Sequence, residues 1–265
     1  MDRIVDTSVF CGYWPFRALP LRTPGELKLH LARRGVTRAW VSPAEAILYP
    51  DPMEANEPLF TAIAGDDFFL PVGMINVTLA TWRRDAGDCL VRWGCRALKL
   101  APNYHQYELA SACVDELVEL ASEAGAPVCI QLRMMDERAH HPLMKVPGVS
   151  AADIAALAAR HRGARFLACG AYQTDLNALR EAPNVWVEIS FVESGQALRS
   201  AVEVVGWQRL VFGSHSPFFY FEAAAAKLDV DPSDIPPEQL EAIRNSNASA
   251  LLGTHDDRPH RTCGA

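Results

Sequence analysis

Residues 210–219 read LVFGSHSPFF: an apolar run, a Gly-Ser turn, then His215, a proline and two aromatics. A buried strand that runs into a turn has this pattern, and it sets His215 where a general acid or base would act. The segment NYHQY adds Asn103, His105 and Tyr107 just past Lys99. His105 is the candidate proton-transfer partner of His215. Asn103, Tyr107 and Lys99 are candidate substrate contacts. In QLRMMDERAHHP, Gln131 and Arg133 stand two apart, so on a strand both face one side. A guanidinium there would clamp a carboxylate or phosphate, with Gln131 orienting it. In GYWPFRALP, Trp14 and Phe16 form a lid over such a pocket, or part of a contact with a second copy of the chain.

Each residue also has a plainer reading. His215 fills space and bonds backbone. NYHQY is a surface loop. Asp136, Glu137 and Arg138 are a solvated ion cluster. His140 and His141 are adjacent, and adjacent residues seldom share one ion. Cys169 is a small core thiol, since nothing around it in the sequence depresses a thiol pKa. Glu188 is an inward carboxylate only if strand parity puts it there.

These residues need elements to position them. β-like runs fall at Arg3–Val9, Arg38–Val41, Phe68–Ile75, Ala97–Leu100, Pro127–Leu132, Arg165–Ala168, Val185–Ile189 and Arg209–Phe212. Helix-like stretches alternate with them: Pro24–Arg34, Met53–Ala64, Leu79–Trp93, Leu109–Glu123, Ala151–Arg160, Thr174–Glu181, Ser194–Val204 and a last region Phe221–Leu252. Such βα alternation implies a parallel sheet under helices, and eight units in this length fit an α/β fold of the closed (β/α)8 TIM-barrel type. A doubly wound open sheet is the alternative, but DTSVFCGYW after the first strand has no G-x-G-x-x-G. Thr23-Pro24 reads as a helix start, Pro236-Pro237 as another, and Gly253 as a stop. One domain is expected over residues 1–254, with a polar tail at 255–265. In a barrel of this kind the chemistry belongs at the C-terminal ends of the strands, where the candidates above all fall.

Composition narrows the partners. The chain has 265 residues, 49% of them hydrophobic, and a net charge of −7. A dispersed acidic balance argues against nucleic acid. No apolar stretch approaches the roughly 18 residues of a membrane span, and MDRIVDTS has no basic region before an apolar core. Seven scattered cysteines without a C-x-x-C pattern suggest reduced thiols in a cytoplasm. The expected partner is a small molecule, with a homodimer as the expected assembly, and no cofactor is expected.

Seven segments in chain order carry a resemblance: VDTSVFCG, RALKLAPNYHQY, PVCIQLR, FLACGAY, NVWVEIS, LVFGSHSPF and RNSNASALLG. Together they resemble the amidohydrolase superfamily, in its compact amidohydrolase-related branch of metal-dependent hydrolases and decarboxylases. The resemblance implies a barrel and five metal ligands: two histidines on strand 1, one each on strands 5 and 6, and an aspartate on strand 8. In register this chain has Ser8, Phe10, Gln131, Cys169 and His215. Some members carboxylate a strand-4 lysine to bridge two metals. With the other ligands changed, Lys99 reads as an anion contact or an ion-pair residue. The resemblance thus implies a barrel whose usual metal centre is lost. Its expected activity is metal-independent hydrolysis or decarboxylation of a small polar, carboxylate-bearing substrate, with His215 and His105 moving protons and Arg133 holding the anion. The alternatives are a non-catalytic binding protein on the same barrel, and a hydrolase with a rearranged metal site built from His215, Cys169 and His105.

Overall fold

The computed structural model describes residues 3–194 and 196–253. Eight strands, β1 Ile4–Cys11, β2 Val36–Pro43, β3 Phe69–Met74, β4 Ala97–Leu100, β5 Val128–Gln131, β6 Phe166–Cys169, β7 Val185–Glu188 and β8 Leu210–Val211, lie in chain order in one sheet. Each pairs in parallel with the next. The seam between β1 and the chain after β8 is closed by backbone bonds. Thr7 N–H donates to the Phe212 carbonyl at 3.0 Å, Phe10 N–H to Ser216 at 2.7 Å and His215 N–H to Ser8 at 2.8 Å. The result is the expected TIM barrel.

Helices α1 Pro24–Ala32, α2 Met53–Ile63, α3 Trp82–Gly87, α4 Pro102–His105, α5 Ala112–Glu123, α6 Ala151–Arg160, α7 Leu176–Leu179, α8 Ala197–Val205, α9 Phe221–Ala225, α10 Pro237–Glu241 and α11 Asn247–Leu252 complete the chain. The Thr23 hydroxyl and the Glu26 carboxylate make a reciprocal capping box at the start of α1, which is why the helix begins there.

Three helices differ from expectation. The stretch read as one helix over Leu79–Trp93 begins at Trp82 and runs through Gly87 into a wider π turn at Asp88–Arg92. That turn seats Cys89 against β3, where a Cβ on Gly73 would lie 2.7 Å from the Cys89 sulfur. The Thr174–Glu181 stretch forms only the short α7, preceded by a 3-10 turn, because Asp175 at the junction turns to pair with Arg133. The last helix carries a π turn at Ala242–Ser246 before ending at Gly253, whose φ of +76° suits glycine. The NYHQY segment, read as a loop, contains the helical turn α4. The expected tail at 255–265 lies outside the described residues. Among the described residues no helix is long and apolar enough to cross a membrane.

The barrel interior has two tiers. The lower is apolar, with Trp40, Leu70, Val72, Leu167 and Val211 sealed from below by α11 through Leu251 and Leu252. The upper tier, at the C-terminal mouth, is the candidate site.

Candidate functional site

Two carboxylates form the floor of the mouth. Asp6 on β1 is fully buried, and its Oδ1 accepts from the N–H groups of Ser8 (3.2 Å) and Ser214 (2.9 Å). Glu188 ends β7, also fully buried. Its Oε1 accepts from Gly170 N–H at 2.5 Å and from the Ser190 hydroxyl at 2.8 Å, and its Oε2 accepts from Ser190 N–H at 2.7 Å. Gly213 lets the strands close around them: a Cβ there would meet Glu188 Oε2 at 2.7 Å and Ser8 Cβ at 3.1 Å. Burial pushes the Asp6 carboxyl up to about 7, against the pull of the Ser214 and Ser8 groups that bond it. Burial also raises Glu188.

Phe10 sits above this floor with no exposed surface. The Lys99 ammonium lies 4.4 Å from its ring centroid, a cation–π contact inside the barrel. The His215 ring meets its edge at 5.1 Å between centroids. Phe191, Phe218 and Phe219 complete the cage around His215 at 5.0, 5.5 and 5.4 Å. Trp14, 1% exposed, packs edge-on against Phe218 at 5.1 Å, so the mouth is filled by the chain's own rings. His215 has φ +56°, a left-handed conformation that histidine tolerates better than most residues. Its Nε2 pairs with the Met134 carbonyl at 2.8 Å, and burial pushes its pKa down to about 3. The imidazole is therefore neutral throughout the physiological range.

The other candidates are placed as follows. The His105 Nε2 pairs with the Ala46 carbonyl at 3.1 Å, and burial lowers its pKa. His105 is next to Tyr107, whose buried hydroxyl has no partner among the described residues. Asn103 donates to the Pro147 carbonyl at 2.5 Å, fastening α4 to the β5–α6 loop. Gln131 folds back to donate to the Arg133 carbonyl at 2.7 Å. Cys169 ends β6 fully buried, and the neighbouring Cys129 thiol together with burial pushes its own thiol well up. Arg133 is 7% exposed. It donates to the Gly170 carbonyl at 2.5 Å and to Asp175 at 2.7 Å, and stacks on the Tyr172 ring at 3.9 Å. The structure thus brings His215, Phe10, Lys99 and Trp14 together in the plug, and turns His105 to the Ala46 carbonyl and Arg133 to Gly170 and Asp175, with Tyr107 beside His105. Asp6 entered the sequence reading only within the segment VDTSVFCG. Its role in the floor depends on Ser214, 208 residues away.

Arg133 carries a direct test. Arg133→Ala leaves Asp175 without its guanidinium, and removing one member of a largely buried pair costs about 3 kcal/mol. Urea unfolding should show that loss. Unchanged stability would mean that the guanidinium is free to hold an outside anion.

The sequence profile of the amidohydrolase family matches residues 55–254. The chain belongs to that family. Among solved structures, the 2,6-dihydroxybenzoate decarboxylase from Rhizobium superposes with a TM-score of 0.73 at 14% identity, covering 95% of this chain and 99% of that one. The 5-carboxyvanillate decarboxylase from Sphingomonas paucimobilis gives 0.75 at 14% identity, with the same coverage. A dihydroxybenzoic acid decarboxylase from Polaromonas sp. JS666, with bound manganese and the inhibitor 2-nitroresorcinol, gives 0.70 at 14% identity, covering 95% and 97%. At these identities the likeness is one of fold. No curated protein sequence matches the chain.

Proposed function

We propose that this chain is an amidohydrolase-family barrel that does not hold the family's divalent metal and that binds small molecules without transforming them. The observation that carries this reading is Phe10, fully buried with Lys99 on its face and His215 at its edge, at the place where the sequence resemblance implies a metal-binding histidine.

The donor set supports it. Phe10 offers no lone pair. Ser8 and Gln131 offer neutral oxygens, which zinc takes poorly. Cys169 lies fully buried at the end of β6, packed in the apolar lower tier with Leu167 and Val211. The His215 Nε2 donates to the Met134 carbonyl, which leaves Nδ1 as its single free lone pair, enclosed by four phenylalanine rings. A divalent cation would also face the Lys99 ammonium at close range. The rearranged trio of His215, Cys169 and His105 has no better support: among the described residues no three His, Cys, Asp or Glu side chains gather in position for one ion.

The solved structures named above are decarboxylases, and another structure of this fold is a 2,6-dihydroxybenzoate decarboxylase complexed with 2,6-dihydroxybenzoate. The decisive experiment therefore combines elemental analysis of untagged protein with carbon dioxide release from a panel of hydroxybenzoates, with and without added manganese or zinc. The expected result is under a tenth of an equivalent of metal and no turnover. Near one equivalent of metal, or metal-stimulated turnover, would overturn the reading.

One observation favours a second reading, metal-independent acid/base catalysis on a small carboxylate. Asp6, held near 7, is matched to proton transfer at neutral pH. Turnover in metal-free protein that is lost in Asp6→Asn would establish it.

A further inference from the structure

We propose that the outer wall of the barrel carries a binding site for a small zwitterion, a free amino acid with an apolar side chain. The site is a groove of about 350 Å³ between the β1–α1 loop and α2, and it does not depend on whether the mouth holds a metal. That volume lies at the lower end of the roughly 300–1,000 Å³ of small-molecule pockets. Charge is divided across the groove. Arg22 stands on the β1–α1 side, while Glu45, just before α2, and Glu54, in the first turn of α2, stand on the other. Cys11, Ala55 and Leu59, all buried, give it apolar walls.

Both kinds of charge are anchored by the chain and left open to a ligand. The Cys11 thiol donates to the Arg22 carbonyl at 3.2 Å, which ties Arg22 to the end of β1. The Arg22 Nε donates to the Leu19 carbonyl at 3.0 Å, and its two terminal nitrogens have no hydrogen-bond partner among the described residues. Such a pair of nitrogens is the fork that takes a carboxylate. Glu26, the carboxylate on the same side, is held by the Thr23 cap. Across the groove, the Glu45 Oε1 accepts the Tyr13 N–H at 2.6 Å. Its carboxylate lies on Gly12, where a Cβ would collide with both oxygens. Glu45 therefore sits beside Cys11, and it adds to burial in raising the Cys11 thiol. Neither Glu45 nor Glu54 has a cation within ion-pair distance among the described residues. A ligand that carries an ammonium and a carboxylate answers both sides at once. A plain acid would face Glu45 and Glu54 with its own sign of charge, and a plain amine would face Arg22 in the same way. The apolar side chain of the ligand covers Ala55 and Leu59.

The test uses the full chain and three probes that share one branched tail. They are leucine, 3-methylbutylamine, which is leucine without its carboxylate, and 4-methylpentanoate, which is leucine without its ammonium. Titration followed by ligand-observed NMR should show leucine binding at least tenfold more tightly than either of the others. Arg22→Gln should cut the preference over 3-methylbutylamine several-fold and leave most of the preference over 4-methylpentanoate. Glu45→Gln, which keeps an oxygen for the Tyr13 N–H, should do the reverse. No binding of leucine up to its solubility, or an affinity for leucine no better than for either partial probe, would overturn the proposal, whether or not the variants fold. So would preferences unchanged in both variants. Metal in the mouth or turnover of hydroxybenzoates would overturn the non-catalytic reading and leave this groove standing. Failure of leucine to bind would do the opposite, so the two failures are distinguishable.

Discussion

Phe10→Ala should lower the unfolding free energy by about 3–5 kcal/mol, the usual cost of emptying a fully buried phenylalanine position. The value belongs at the upper end because three contacts go at once. The ring supports Lys99 at 4.4 Å, His215 at 5.1 Å and Phe218 at 5.4 Å. Its removal leaves a lysine buried in the barrel without its aromatic face. Phe10→Leu keeps most of the volume and should cost less. The difference between the two variants then reports the void and the lost ring together. Urea unfolding measures both. A loss under about 1 kcal/mol for Phe10→Ala would mean that the mouth collapses freely and that the plug is not packed to the density of a protein interior.

His215 should make the protein acid-sensitive. Its imidazole is pushed down to about 3 in the folded chain by burial, against an unfolded value of about 6.5. The folded state therefore binds fewer protons than the unfolded state between those values. Its contribution is fully present above about pH 6.5 and is lost as the pH falls towards 3, for a total of roughly 5 kcal/mol. Asp6 works in the opposite sense. Its carboxyl is raised to about 7, so its contribution is present at low pH and is lost as the pH rises from about 4 through 7. The two slopes partly cancel in the unmodified protein, so the histidine must be isolated by substitution. Asparagine tolerates the left-handed backbone at this position. The stability of the unmodified protein relative to His215→Asn should fall by about 3 kcal/mol between pH 7 and pH 4.5. Parallel stability curves across that range would show that the ring is solvated and open to protons, as a working acid or base would be.

The barrel was legible in the residues because its determinants are local. Each strand is a short apolar run, each helix has its own start or stop signal, and the alternation of the two admits few architectures. Thr23 with Glu26, Pro237 and Gly253 mark helix ends where the sequence places them. Strand length was harder to read. β8 is only two residues long, because the chain leaves the sheet to bond with β1 through Thr7, Ser8 and Phe10, some 200 positions earlier. The π turn at Asp88–Arg92 answers to the space over Gly73, which no neighbouring residue announces.

The site divides along the same line. Residue types and spacing were enough to collect His215, Lys99, Gln131, Arg133 and Trp14 at one end of the barrel, since strand parity and the C-terminal rule depend on sequence order alone. What each side chain does there was set by partners far away in the chain. Arg133 reads as an anion clamp until Asp175 and Gly170 are seen to occupy it. His215 reads as a base until four phenylalanines are seen to enclose it. Asp6 reads as a motif residue until burial beside Glu188 raises its carboxyl. Burial and proton affinity are properties of the whole surroundings of a group, and in a barrel those surroundings come from all eight strands. Only the folded chain decides whether a polar residue at the mouth faces a ligand or faces the protein itself.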